Sequence, residues 1–295
     1  LLTTLTHQLI MKYVLITCVS TGIGYATVEY LQERGFFVFG SVRKAEEAEK
    51  LQKTFGESFK ALVFDVTRAE QVAQAVKKVN AILNGQNLTG LVNNAGIAVA
   101  GPLENIPMEK IRYQFDVNVF GVMEVSKAFL PLLKATSEDK KPGRIINISS
   151  VSGIFTTPFG GLYSASKFAL ESFSDALRRE LFIHDIDVIV LQPGPIQTPI
   201  WDKTKSETEE YMDTPYAPIL KALKSRLDRS AQSGLPPEAV TKRVYDALTL
   251  TRPKTRYLIS RNAFFMKYIL PLIPDRMMDK MIFRGLRKWL DRQER

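Results

Sequence analysis

Short apolar runs rich in β-branched and aromatic residues alternate along the chain with stretches whose apolar positions recur every three to four residues. This change of period is what repeated β–α–β units produce, the runs forming strands and the amphipathic stretches forming helices. The strands expected on this pattern lie at 13–17, Phe36–Val42, 61–64, 91–92 with their flanks, Arg144–Ile148, 187–191 and Arg256–Ile259. They are apolar on both faces, so helices must cover both sides of a parallel sheet. The predicted fold class is α/β, a doubly wound parallel sheet of about seven strands.

Between the strands, a helix follows the first run to about Arg34, where Gly35 stops it, and two long helical patterns span 106–133 and 161–183. Residues 201–234 are polar, rich in charge and poorly periodic, and read as a mobile flap. One domain over 11–260 is expected, with residues 1–10 ahead of Met11 as a leader outside the fold and 261–295 as an appended segment.

Size and composition narrow the function classes. The 295 residues, 45% of them hydrophobic, suffice for one well-buried domain with an appendage. With only Cys18 and two histidines, His7 and His184, no disulfide framework or Cys/His metal site can be assembled. His184 sits where a helix ends, which assigns it to capping rather than catalysis. Much of the formal charge of +9 lies after residue 250, on a hydrophobic segment, and no nucleic-acid-binding motif accompanies it. No apolar run reaches the roughly 18 residues of a membrane span, and residues 1–10 lack the pattern of a signal peptide. A reduced, cytoplasmic setting is expected.

The C-terminal stretch 264–290 interleaves Phe, Met, Ile, Leu and Trp289 with Lys267, Arg276, Lys280, Arg284, Arg287 and Lys288. Two readings stand: a helix lying on a membrane surface, as basic amphipathic segments do, or a lid packed over a pocket. Pro271 and Pro274 interrupt the stretch, which favours the lid.

Candidate chemistry begins right after the first strand, at Thr17-Cys18-Val19-Ser20-Thr21-Gly22-Ile23-Gly24. Small residues in a strand-to-helix turn let backbone amides and a helix N-terminus approach a pyrophosphate. Tyr163 and Lys167 stand four apart on a helical pattern, which puts phenol and ammonium on one face. A nearby cation favours the phenolate, so such a Tyr can exchange a proton near neutral pH. Ser149-Ser150 ends the fifth strand, at the carboxyl edge where doubly wound sheets bind ligands, and Asn93-Asn94-Ala95-Gly96 ends the fourth at the same edge.

From about Met11 onward these motifs resemble the short-chain dehydrogenases/reductases, in which the first turn reads TGxxxGxG and the fourth strand ends in NNAG. The segments 102–130 and 163–172 look most like the 17β-hydroxysteroid and retinol dehydrogenase branch. The resemblance implies a Rossmann-type fold and a catalytic tetrad of Asn118, Ser150, Tyr163 and Lys167. It implies a cofactor held by Thr17, Ser20, Gly22, Ile23 and Gly24 of the first turn, Asp65 and Val66 beside the adenine, and Asn93, Ala95 and Gly96. Pro193, Gly194, Ile196 and Thr198 would grip the nicotinamide end, with Tyr163 and Lys167 also touching the cofactor. The reaction implied is hydride transfer between nicotinamide and a carbonyl or alcohol carbon, Tyr163 carrying the proton, Lys167 lowering its pKa and Asn118 positioning a water. Pairing of two subunits through the long helices is implied as well.

Cofactor choice follows from the end of the second strand, Ser41-Val42-Arg43-Lys44. No carboxylate is present to repel a 2′-phosphate, and the planar fork of Arg43 suits one, so NADP(H) is expected ahead of NAD(H). A lipophilic ketone or aldehyde, or the matching alcohol, is the expected substrate, with Trp201, Met212 and Tyr216 as candidate lining. Cys18 departs from the family's glycine and adds strain if its φ is positive. That departure is the one feature favouring an alternative, a nucleotide-binding regulatory protein of the same fold with impaired turnover.

Overall fold

A computed structural model describes residues 11–135 and 141–290. The expected leader and residues 291–295 lie outside the described residues. Seven strands, β1 (Lys12–Ile16), β2 (Phe36–Val42), β3 (Phe59–Val63), β4 (Gly90–Asn93), β5 (Arg144–Ile148), β6 (Val188–Pro193) and β7 (Arg256–Ile259), pair in parallel in the order β3-β2-β1-β4-β5-β6-β7. The described helices are α1 (Gly22–Gln32), α2 (Ala45–Phe55), α3 (Ala69–Leu83), α4 (Met108–Phe115), α5 (Gly121–Leu133), α6 (Gly161–Glu180), α7 (Ile200–Glu209), α8 (Ala217–Ser233), α9 (Glu238–Thr249) and α10 (Asp275–Leu290).

The strands send successive side chains to opposite faces, and in the central strands both faces are dry. Val14 and Ile16 of β1 join Val28 and Leu31 of α1, Leu51 of α2 and Val244 of α9 in one core. Leu15, between them, joins Val79 of α3 and Phe129 of α5 in the other. Fully burying each such side chain contributes about 1.5–3 kcal/mol, which is why apolar residues dominate both faces of the runs. A third, smaller cluster of Val99, Ile106, Leu162, Tyr211 and Leu220 lies under α7 and α8.

β1 has β2 on one side and β4 on the other, so the chain order reverses there. The loops leaving the carboxyl ends of β1 and β4 part in opposite directions and open a crevice, the position where such sheets take ligands.

Two expectations about helices change. The pattern over 106–133 is not one α-helix: a single π-turn, Asp116–Phe120, separates α4 from α5. Residues 201–234 hold two helices, α7 and α8, joined by a short turn. The C-terminal segment breaks at its prolines as expected, into a π-turn Phe265–Ile269, a 3₁₀ turn Leu270–Leu272 and α10, which starts directly after Pro274.

Candidate active site

The crevice is built first by locking β1 to β4. The buried Thr17 hydroxyl accepts hydrogen bonds from the backbone N–H groups of Asn94 and Ala95, both at 2.9 Å. Asn94 Nδ2 donates in return to the carbonyls of Thr17 at 3.0 Å and Cys18 at 2.9 Å. Ser41, at the end of β2, accepts from Cys18 N at 3.0 Å. These bonds hold Ser20, Gly22, Ile23 and Gly24 as a rigid rim.

At this rim α1 starts without any side-chain cap on its first-turn amides and with no acidic residue there. Uncapped N–H groups and the positive end of the helix dipole suit an anion. Gly22 has φ +61°, and a Cβ on it would sit 3.2 Å from Thr198 Cγ2. A Cβ on Gly24 would stand 2.6 Å from Asn94 Nδ2 and closer still to the Cys18 carbonyl. The glycines therefore let the turn, Asn94 and the Thr198 loop close together around a narrow groove, a shape a dinucleotide's phosphates fit. Cys18 itself is exposed and has φ 58°, the strained geometry expected if a side chain replaces glycine there, at roughly 1–2 kcal/mol.

Along the same edge stand the groups suited to proton transfer. Ser150 follows β5, accepts from Ser152 N at 3.1 Å and reaches the Pro193 carbonyl at 3.5 Å. Tyr163 and Lys167 project from one face of α6, with Lys167 Nζ 5.7 Å from the centre of the Tyr163 ring. Lys167 is 4% exposed and donates to the Ile148 carbonyl at 2.9 Å. Burial pulls its pKa down to about 8, against the opposing pull of the Glu171 carboxylate. Burial raises the Tyr163 phenol above its ordinary value, with the Ser150 hydrogen bond acting the other way. At the phenol burial outweighs the Ser150 hydrogen bond, and the Lys167 Nζ is turned to a backbone carbonyl.

Asn118 occupies the π-turn, fully buried. Its Oδ1 accepts from Ile97 N and its Nδ2 donates to the Ile97 carbonyl, both at 2.9 Å, and Nδ2 also donates to Ser166 Oγ at 3.0 Å. Asn118 Oδ1 and Lys167 Nζ both flank Gly96, at 3.4 and 3.6 Å from where its Cβ would be. π-turns of this kind are frequent at functional sites because they re-aim a single side chain. Here the side chain clamps the loop after β4 against α6.

The remaining candidates divide. Gly194 is tied to β7 through the Ile259 carbonyl, Pro193 ends β6, and Thr198 borders Gly22. The Ile196 side chain is buried in the core, and its backbone bridges to Leu235. Asp65 receives two bonds from Thr67 at 2.8 and 2.9 Å, and Val66 packs beside Gly121. Arg43 is exposed just past β2, with its guanidinium 3.4 Å from the Tyr113 hydroxyl. Asn93 differs: its side chain lies inside the protein, donating to Ser126 Oγ at 2.9 Å and Asn147 Oδ1 at 2.8 Å, away from the groove.

Residues without a sequence signal complete the site. Ser166 fixes Asn118, and Phe159, at φ 64°, lies in the loop before α6, its ring edge-on to Tyr216 at 5.7 Å. Phe159, Met212 and Tyr216 border the third apolar cluster, whereas Trp201 is turned to donate to the Ile196 carbonyl. An apolar wall thus stands beside the polar groups.

Comparison with known proteins agrees with this geometry. The family model described as short chain dehydrogenase matches residues 12–209. The chain is 42% identical, over 94% of its length and 98% of the relative's, to an NADPH-dependent 3-dehydrocapnine reductase of Ornithobacterium rhinotracheale. It is 33% identical to retinol dehydrogenase 16 of Mus musculus, over 92% and 88% of the two chains. Among solved structures, a short-chain dehydrogenase from Streptomyces avermitilis superposes with a TM-score of 0.73 at 24% identity, covering 93% of this chain and 98% of that one.

Proposed function

The chain belongs to the short chain dehydrogenase family and is one of its oxidoreductases, and from that premise we propose that it interconverts a lipophilic ketone or aldehyde and the matching alcohol with NADP(H). What carries the reading is Lys167 Nζ 5.7 Å from the Tyr163 ring and bonded to the end of β5, where Ser150 follows, together with the uncapped start of α1 after β1 of the same sheet. The NADPH dependence named for the reductase relative, the retinol named for the other, and Arg43 without a neighbouring carboxylate in its strand-end run all support it.

When bound, the reduced cofactor supplies a hydride to the carbonyl carbon. The chain's own residues do the rest. The backbone amides opening α1 and the glycine rim take the diphosphate, and Arg43 takes the 2′-phosphate. The Ser150 hydroxyl donates to the substrate oxygen and so orients the carbonyl. Tyr163, held protonated by burial, gives its proton to that oxygen as charge develops there. Lys167 holds the cofactor ribose and supplies a positive charge beside the phenolate left behind, which is where its influence on the phenol is exerted. Asn118 keeps the loop after β4 and α6 at fixed separation. The third apolar cluster and the helices α7 and α8 above it exclude water and favour an apolar substrate. The exposed Phe120 and Phe168, on the helices expected to pair subunits, support association of two copies.

Fluorescence titration with NADPH and NADH, followed by nicotinamide absorbance with a panel of apolar ketones and aldehydes, tests the proposal. Tighter binding of NADPH, weakened about tenfold by Arg43→Ala as loss of a charge-assisted phosphate contact requires, is the expected result. Equal affinity for both cofactors, unchanged in the variant, overturns the cofactor assignment. No turnover of any apolar carbonyl overturns the substrate class.

A further inference from the structure

We propose that the segment from Phe264 to the described end of α10 is a docking surface for an anionic phospholipid bilayer. Leu272 is 77% exposed, Phe264 71% and Phe283 60%, with Phe265, Tyr268, Ile269, Met277 and Met281 also open to solvent. Eight exposed apolar side chains within the twenty residues 264–283 of a folded chain mark a contact surface.

The arrangement on α10 says what kind. Met278, Ile282 and Leu286, at i, i+4 and i+8, are half-buried and mark the side turned to the protein, where α10 packs against α8. Arg276, Lys280, Arg284 and Arg287 repeat at nearly the same period on the opposite side. The exposed Met277 and Met281 flank this cationic stripe on one edge and Phe283 on the other. None of the four cations forms an ion pair with a described carboxylate. Cations outward with apolar side chains on both flanks match a headgroup layer, where phosphates meet the charges and acyl chains receive the apolar groups.

Other occupants fit less well. A second copy docked on the same face by two-fold symmetry would set the four cations against their own counterparts. A nucleic acid would meet the charges and leave Phe264, Leu272 and Phe283 wet. Among the described residues no helix is long and apolar enough to cross a membrane, so the contact is peripheral.

The inner side of the segment explains its reach. Met266 and Pro271 border a cavity of about 240 Å³ with Leu258 of β7 and Ile154, four residues past Ser150. A docked chain therefore holds the Ser150 loop close to the bilayer. The docking stands independently of the reductase reading; its use, taking apolar substrate directly from the membrane, rests on that reading.

Co-sedimentation of the full chain with phosphatidylcholine vesicles, with and without phosphatidylserine, decides the matter. The proposal predicts pelleting with the phosphatidylserine vesicles, release by high salt, and partitioning reduced about tenfold or more by Lys280→Glu with Arg284→Glu. Leu272→Ser with Phe283→Ser lowers it on the same vesicles, thermal melting being unchanged in both pairs. Absence of pelleting, or pelleting indifferent to salt and to both pairs, overturns the proposal. So does lipid-free dimerisation abolished by these variants without vesicle binding, which would assign the face to a second copy. The salt arm needs no variant, and NADPH titration of the same samples reports separately on the reductase reading.

Discussion

Two polar clusters share the same strands and the same helix, and they behave in opposite ways. Beneath the edge, Asn93 of β4 donates to Ser126 and to Asn147 of β5, Asn147 donates to Ser174 of α6 at 2.8 Å, and Ser174 donates to the Leu170 carbonyl at 2.6 Å. Apart from Asn93 Oδ1, every group in that chain finds a protein partner. At the edge itself, Ser150 reaches the Pro193 carbonyl only at 3.5 Å, burial raises the Tyr163 phenol against the Ser150 hydrogen bond, and Lys167 is a desolvated cation at about 8. Both clusters contain serine hydroxyls, the closed one adding amides and the open one a phenol and an ammonium. What separates them is capacity left over: a closed network fixes two strands and a helix in one register, whereas an open one has donors and a proton to offer to something else.

Breaking the open cluster should cost activity, and the largest such effect away from Tyr163 is expected at Lys167. Lys167→Met lowers turnover of the best carbonyl by about a hundredfold or more, read from nicotinamide absorbance at saturating NADPH. The same variant carries a pH signature. Native Lys167 titrates at about 8 and its unfolded form at the ordinary 10.5, so between these values the unfolded chain binds the extra proton. Its share of stability is unfavourable below about 8 and is relieved as pH rises towards 10.5. Wild-type urea midpoints should therefore rise across that window relative to Lys167→Met, and parallel midpoints would show that Lys167 is not desolvated.

Breaking the closed cluster should cost stability instead. Asn147→Leu strands a donor on Asn93 and the Ser174 hydroxyl acceptor inside the protein, at roughly 2–3 kcal/mol, seen as a lower urea midpoint with cofactor affinity retained. Loss of cofactor binding without loss of stability would mean that the two clusters are not separate.

The smallest effect lies at the strained rim. Cys18→Gly relieves a positive φ at a cost of some chain entropy, a net gain of about 0.5–1 kcal/mol in stability, and tightens NADPH binding severalfold by thermal melting and fluorescence titration. An unchanged or weaker dissociation constant would show that the cysteine is accommodated without effect on the cofactor groove.

How much of this was legible beforehand depended on which force shaped each stretch. Phe36–Val42, Arg144–Ile148 and Arg256–Ile259 are strands with the expected bounds. Runs dominated by apolar or β-branched residues leave little choice in a doubly covered sheet. β6 extends to Pro193, which the pattern did not include, because a proline is tolerated where a strand ends. α7 escaped notice because its inward positions are Thr204 and Thr208, followed by Tyr211, all buried at i, i+4 and i+7 but weakly apolar in sequence. The π-turn at Asp116–Phe120 escaped it because its cause, the Asn118 side chain clamping Ile97, is a contact between distant parts of the chain. The same limit applies to Asn93 and Asn94: adjacent asparagines read alike, yet one faces the core network and the other the groove. Motif spacing put Tyr163 and Lys167 on one helix face, but did not reveal the burial that raises the phenol and lowers the ammonium.

The central claim is that the open cluster transfers a proton through Tyr163, and the most direct test is single-turnover oxidation of bound NADPH by an apolar ketone in wild type and Tyr163→Phe. The account predicts equal NADPH affinity, an unchanged melting temperature and a rate lowered roughly 10²–10⁴-fold in the variant. A Phe variant that binds cofactor and turns over at the wild-type rate would contradict it and move the proton donor elsewhere in the site.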